Sequence, residues 1–249
     1  MTTMTTPLIT VEGLTMGWGD LNLLEDVSFE VARGDVFAIL GGSGCGKSTL
    51  LRCLVGLDSP KSGAITIEGV GTPRLEAGRP AYGVMFQSGA LFGSLTVGEN
   101  VALAITEWTD LPPDAVDAVV RARLRLVGLE GFEGHTPAEI SGGMKKRAAI
   151  ARAMALEPTL LFLDEPSAGL DPVSAVELDE LILTLSDALG LTVVIVTHEL
   201  ESIFAIARTC IMLDKNTKSI IARGDPRELR DHAEDPRVHR FFNRTTKDV

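Results

Sequence analysis

Hydrophobic positions in the first third of the chain come in short runs closed by glycines. Leu8–Leu14, Val27–Val31, Val36–Leu40 and Ala64–Glu68 are rich in β-branched residues, and each reads as a strand. Lys47–Leu57 has helical spacing after a glycine-rich turn, and Ala81–Phe86 reads as a further buried strand. The character changes between about Leu91 and Pro137. Val97–Trp108 and Asp114–Val127 repeat apolar residues at helical intervals, Pro112-Pro113 opens the second, and no strand pattern intervenes. This predicts a helical insertion. Strand-like runs then return at Leu160–Leu163, Thr192–Val196 and Cys210–Leu213, alternating with helical stretches at Gly142–Leu156, Val173–Leu189 and Leu200–Ala207. Such alternation predicts an α/β fold with a parallel sheet and crossover helices. Ser219–Ala222 reads as an edge strand and Pro226–Asn243 as a polar helical tail.

At 249 residues the chain suits one large domain or a domain with a subdomain. Hydrophobic content of 45%, charged content of 23% and 25 glycines exclude a disordered, collagen-like or coiled-coil chain. The longest apolar runs, Val36–Leu40, Thr159–Leu163 and Leu191–Val196, fall far short of the ~18 residues of a membrane span. The opening MTTMTTPLIT has neither a basic start nor an apolar core, so no signal peptide is expected and the chain should stay in the cytoplasm. A net charge of −11 argues against nucleic acid as a partner. Cys45, Cys53 and Cys210 are odd in number and lack metal spacing, which suits reduced thiols. Cys53 and Cys210 read as small buried hydrophobes.

Three motifs carry chemistry. Gly41, Gly42, Ser43, Gly44, Cys45, Gly46, Lys47 and Ser48 fit G-x-x-x-x-G-K-[ST] between an apolar strand and a helix. The glycines let successive backbone N–H groups converge on phosphate oxygens, and the helix N-terminus adds partial positive charge. Lys47 supplies a point charge, and the Ser48 hydroxyl is a hard oxygen for Mg²⁺. The second motif is the apolar run Leu160–Leu163 ending in Asp164 and Glu165. Asp164 can hold Mg²⁺ through water, and Glu165 can polarise an attacking water. Adjacent carboxylates repel, so the pair implies a cation or a proton to be managed. The third is Ser141, Gly142, Gly143, Met144 and Lys145 at a helix start. A serine N-cap followed by two glycines leaves N–H groups free and permits close backbone approach. Two phosphate-binding helix N-termini that cannot share one nucleotide suggest a dimer in which each copy completes the other's site.

This set resembles the ATP-binding-cassette ATPase subunit, in the right order from about Leu8 to Gly224. Gly41–Thr49 is similar to its Walker A loop, Gln87 to its Q-loop glutamine and Ser141–Lys145 to its signature motif. Asp164-Glu165 resembles its Walker B pair, Ser167–Asp171 its D-loop and His198 its switch histidine. Trp18 sits where the family stacks an aromatic on adenine. The resemblance implies a P-loop NTPase with a RecA-like parallel-sheet core, an N-terminal antiparallel β subdomain and an inserted α-helical subdomain. The cassette would span 8–224, its helical subdomain about 91–157, and a C-terminal helical tail 225–249. It also implies ATP and Mg²⁺ as cofactors, with Ser48, Gln87 and Asp164 at the metal and Glu165, His198 and Gln87 in catalysis. His198 would hydrogen-bond the γ-phosphate, Gln87 would report nucleotide state, and Asp171 would cross a homodimer interface.

Met144 departs from the glutamine usual in the signature. Met144–Ala148, Phe86–Phe92, the D-loop run and Asp235–Arg244 instead resemble one branch, the MlaF-like ATPases of MCE-type lipid transporters. That branch implies integral-membrane permease subunits, an MCE-domain protein on the periplasmic side, and a peripheral place on the cytoplasmic face of the inner membrane. Leu91, Phe92 and Leu95 would start a groove for a partner helix or pack the insertion's own core. Phe241-Phe242 would anchor the tail on a neighbouring subunit or end a solvated tail. Other cassette importers, exporters and lipoprotein-release ATPases share every catalytic residue, and a soluble iron–sulfur assembly ATPase shares the Lys-Lys-Arg run. A nucleotide-gated module without hydrolysis fits poorly with Glu165 and His198.

Overall fold

The structure, a computed structural model, describes residues 7–74 and 78–244. The first six residues, read above for a leader, and residues 245–249 of the expected tail lie outside the described residues. In chain order the elements are β1 (Pro7–Trp18), β2 (Leu21–Ala32), β3 (Val36–Gly41), α1 (Lys47–Leu54), β4 (Ser62–Ile67) and β5 (Gly83–Met85). Then come α2 (Val97–Trp108), α3 (Pro113–Leu126), α4 (Gly142–Ala153), β6 (Leu160–Asp164), α5 (Pro172–Leu189) and β7 (Thr192–Val196). The chain continues through α6 (Leu200–Ile206), β8 (Thr209–Asp214), β9 (Ser219–Gly224), α7 (Pro226–His232) and α8 (Pro236–Asn243). Two compact units result, one from the residues up to Gly78 and from Thr192 onward, the other from Arg79–Leu191. The second is wider than the insertion expected at about 91–157, since it also takes in β5, β6 and α5.

In the first unit β1 pairs antiparallel with both β2 and β4. The buried face of β1 runs Ile9, Val11, then Leu14, Met16, and that of β2 runs Leu24, then Val27, Phe29, Val31. The phase of alternation changes in each strand, at Gly13 (φ 56°) and at Asp26 (φ 52°). An extra residue in a ladder turns the following side chains to the other face. That phase change is why simple alternation reveals only part of each strand. β3 lies parallel to both β7 and β8, with β9 antiparallel at the edge beyond β8. Every residue of β3 and of β7 is buried, the signature of a covered parallel strand.

The helical tail consists of two short helices. Asp225 and Asp235 each accept from the backbone N–H two residues on, with Pro226 and Pro236 in the first turns, so two helices form. Proline's fixed φ suits a first helical turn. Val238 and Phe242 of α8 are buried in this unit's core beside Ala38, Leu40, Ile203 and Met212, each burial contributing roughly 1.5–3 kcal/mol. The described tail is neither frayed nor wholly solvated. Arg237 bridges Asp235 and Asp214, and its guanidinium helps hold Asp235 down at about 2. The three cysteines are free and buried, and burial pushes Cys53 up to about 11 and Cys210 to about 12.

In the second unit β5 and β6 pair in parallel, Gly83 with Leu161 and Met85 with Leu163. The expected strand Ala81–Phe86 contracts to these three paired positions. Gly83 lets α4 approach closely, because a Cβ there would lie 2.2 Å from the Ala153 carbonyl oxygen. A capping box of Thr96 and Glu99 starts α2, Ser141 caps α4 and Asp171 caps α5, each cap worth about 1 kcal/mol. Asn100 is fully buried. Its amide donates to the carbonyls of Phe92, Leu95 and Thr96 and accepts from the Phe92 N–H, so one side chain pins the loop before α2.

Candidate nucleotide site

The phosphate loop is a main-chain construction. Gly41 ends β3 opposite Leu213 of β8. Its φ is 144°, and a Cβ there would sit 2.5 Å from the Leu213 carbonyl oxygen and 2.6 Å from Cys45 Sγ, so no other residue fits without moving backbone. Gly44 and Gly46 also have positive φ, 77° and 101°. A Cβ on Gly42 or Gly44 would meet nothing within 4 Å, so this side of the loop is open. Gly46 is backed by Met16 and Leu23 of the antiparallel sheet. Cys45 and Thr49 point inward and are buried, whereas Ser43 and Ser48 are exposed. Burial pushes the Cys45 thiol pKa up, with the Lys47 cation opposing. Lys47 Nζ donates to the carbonyls of Gly41 (2.8 Å) and Gly42 (3.1 Å), which arches its ammonium over the loop. Such a concave run of N–H groups at a helix start suits a polyphosphate.

Two more expected residues lie in this unit. Ile39 of β3 faces Val196 of the parallel strand β7, so Gly41 and His198 leave the same edge of the sheet. His198 is exposed, with Nε2 3.5 Å from Glu199 Oε1. Trp18 closes β1 with 58% of its surface exposed, two residues beyond the Met16 that backs Gly46.

The other expected residues lie in the second unit. Parallel pairing of Met85 with Leu163 carries Gln87 and Glu165 to one edge of that strand pair. Asp164 is partly buried and Glu165 is 9% exposed, with a φ of 48° that is costly for a residue with a side chain. Gln87 is exposed. Ser141 Oγ accepts from the Met144 N–H at 3.2 Å, and Gly142 and Gly143 form the first turn of α4. Asp171 is also a cap. It accepts from the N–H groups of Val173 and Ser174 and from the Ser174 hydroxyl at 2.6 Å. These bonds, the Ser174 hydroxyl first, lower its pKa. Its carboxylate is thus engaged at the start of α5.

Among the described residues, no group of three or more His, Cys, Asp or Glu could hold a metal. The Ser48 hydroxyl and the Asp164 carboxylate are hard oxygen donors, few in number. Each, within its own unit, is the kind of oxygen that Mg²⁺ takes alongside phosphate oxygens and water.

Residues 24–168 match the ABC transporter family. The chain belongs to that family. It is an MlaF-like ATP-binding-cassette ATPase, and its chemistry is ATP hydrolysis. It is 39% identical to the intermembrane phospholipid transport ATP-binding protein MlaF of Escherichia coli K12, over 95% of this chain and 88% of that one. It is also 39% identical to the mkl protein of Mycobacterium leprae, named a probable ribonucleotide transport ATP-binding protein, over 94% of this chain and 68% of that one. Among solved structures, cbiO1 of Clostridium perfringens, part of the transporter complex cbiONQ, has a TM-score of 0.81 at 30% identity, covering 92% of each chain. A dimeric cassette in a post-hydrolysis state with ADP and Pi has a TM-score of 0.77 at 28% identity, covering 87% of this chain and 98% of that one. These likenesses establish the P-loop NTPase fold that the resemblance implied and the α/β class that the strand–helix alternation predicted.

Side chains that motif reading missed hold the second unit's loops. Lys146 donates to the Gln87 carbonyl (2.5 Å) and the Glu165 carbonyl (3.3 Å). Arg152 donates to the carbonyls of Gly89 (2.8 Å) and Ala90 (2.6 Å). The available signal was a lysine on the helix face that otherwise presents Ala149 and Ile150; a cation on a core face needs a built-in reason.

Proposed function

We propose that this ATPase powers lipid transport through separate membrane-spanning permease subunits, working as a homodimer at the cytoplasmic face of the inner membrane with an MCE-domain protein in the same assembly. The observation that carries the lipid reading is the nearly end-to-end match to MlaF. A ribonucleotide cargo is the second reading, favoured by mkl at equal identity but over less of that protein.

Backbone N–H groups of Gly41–Gly46 and the Lys47 ammonium bind the β- and γ-phosphates, Ser48 and Thr49 follow at the helix start, and Trp18 stacks on adenine. Ser48, Asp164 and Gln87 hold Mg²⁺, which neutralises phosphate charge. Glu165 takes a proton from the attacking water, and His198 hydrogen-bonds the γ-phosphate. Ser141, Gly142 and Gly143 offer their helix start to the γ-phosphate bound by the second copy, so ATP closes the dimer and its hydrolysis opens it. Asp171 fixes the D-loop through its cap. Losing the γ-phosphate removes contacts made only in the closed state, which is how hydrolysis shifts the population.

Within the second unit, Phe92, Leu103, Trp108 and Leu156 line a groove of about 510 Å³. Phe92 is 57% and Trp108 40% exposed, which supports a docking role for them, while Leu91 and Leu95 are half-buried. The groove's occupant in this reading is a cytoplasmic helix of the permease, laid in by its apolar face. No helix among the described residues is long and apolar enough to cross a membrane.

The test is affinity purification of the Glu165→Gln protein from its native cells in ATP. A multi-span permease together with an MCE-domain protein is the expected result. A permease with a solute-binding protein would overturn the lipid cargo. Soluble iron–sulfur partners without any membrane protein would overturn transport.

A further inference from the structure

Lys146 lies one turn inside α4 and is only 8% exposed. Burying an ammonium group is expensive unless its hydrogens are used. Its two hydrogen-bond acceptors are main-chain carbonyls at the two positions that the proposed chemistry needs most. One is Gln87, just after β5; the other is Glu165, just after β6. Glu165 is held at a φ of 48°, a conformation that persists only where the surroundings over-determine it. A cation on the Glu165 carbonyl is such a constraint. Burial lowers the Lys146 pKa, while the nearby charges of Glu165 and Asp164 oppose that shift and favour the ammonium form. Further along the same helix, Arg152 holds Gly89 and Ala90. The segment after Gln87 therefore keeps an anchor of its own when Lys146 is changed.

We propose that Lys146 is a positioning residue for hydrolysis, tying the backbone of Gln87 and the backbone of Glu165 to the signature helix so that the three move as one body. It touches neither nucleotide nor water. It sets where the Glu165 carboxylate and the Gln87 amide are carried when α4 shifts. This rests on the role of Glu165 proposed above.

Lys146→Met keeps the length and apolar stem and removes the donors; Lys146→Arg restores donors to both carbonyls. In the full chain, steady-state ATP hydrolysis, ATP affinity by titration calorimetry and the thermal midpoint are measured for each. For Lys146→Met, kcat falls by about tenfold or more, because small misplacements of a reacting group are costly. ATP affinity stays within about twofold, and Lys146→Arg recovers most of the rate. Turnover within twofold of the unchanged protein in Lys146→Met would overturn the proposal. So would an Arg variant no faster than the Met variant, or loss of affinity and midpoint in parallel with rate. Glu165→Gln, measured alongside, separates the claims. Unchanged turnover there removes the base assignment, while Lys146 stands or falls on its own Met–Arg difference.

Discussion

The phosphate loop and the segment that follows Gln87 are both irregular backbone next to a strand end, and they are held in opposite ways. In the loop the geometry is the glycines. Gly41 has room for no Cβ, and Lys47 bonds back across the loop to the carbonyls of Gly41 and Gly42. After Gln87 the main chain is laced by side chains from elsewhere, through Lys146, Arg152 and Asn100. A glycine-built loop takes a path that a side chain would block, as at Gly41. A laced segment is held by a few bonds, each of which can be cut singly, and it moves with the helix that laces it. The first suits a site that must present the same N–H groups in every turnover, the second a segment that must follow a moving helix.

The sharpest way to break this contrast is Gly41→Ala. A Cβ 2.5 Å from a carbonyl and a φ of 144° leave no accommodation, so ATP affinity should fall by at least about a hundredfold, near 2.7 kcal/mol, as read by titration calorimetry. Affinity within a few-fold of the unchanged protein would mean that the loop can take another path. Asn100→Ala should act on the other side of the comparison. It takes the amide away from the Phe92 N–H and the Leu95 carbonyl, while the Phe92 and Thr96 carbonyls keep the backbone N–H groups of Leu95 and Asn100, at a cost of about 1–3 kcal/mol. A lowered denaturant midpoint with unchanged ATP affinity is expected; unchanged stability would show that the Phe92–Thr96 loop holds itself.

The smallest effect concerns the tail, laced to β8 by the Asp214–Arg237–Asp235 cluster. Both carboxylates have pKa values depressed in the folded chain, Asp235 to about 2 from 3.8. Depressed carboxylates add stability that is complete above the unfolded value and is lost as pH falls through the folded one. The tail should therefore loosen between about pH 4 and pH 2, seen as faster amide exchange in α8. The groups are only partly buried, so the effect is modest. Arg237→Gln should remove most of Asp235's share of this step and leave that of Asp214, which the N–H groups of Thr217 and Asn216 hold down; an unchanged step would assign it to other carboxylates.

The same contrast explains what was legible in the sequence. Gly41–Ser48 could be read because in a backbone-built site the residue type is the geometry, and Asp164-Glu165 because the acid pair follows that loop in the chain with a helical insertion between. Lys146 was hidden because any donor on that helix face could reach a carbonyl, so no motif marks it. The β1–β2 hairpin was half legible, since bulges at Gly13 and Asp26 reverse the alternation that identifies a strand. The split of the tail was legible in principle, since Asp225-Pro226 and Asp235-Pro236 each pair a cap with a first-turn proline. The burial of Phe242 was not, because a phenylalanine in a short polar helix can anchor on its own core or on a neighbour. Asp171-Pro172 carries the same pairing of cap and proline, so the cap duty of Asp171 was legible in the same way.

The most direct test of the central claim, an ATP-gated dimer that hydrolyses through Glu165, is light scattering and phosphate release for Glu165→Gln with ATP and Mg²⁺. Hydrolysis should fall by about 10²–10⁴-fold, the usual contribution of a positioned base, while ATP still binds and the mass doubles. Phosphate release at the rate of the unchanged protein, or a monomer with ATP bound, would contradict it.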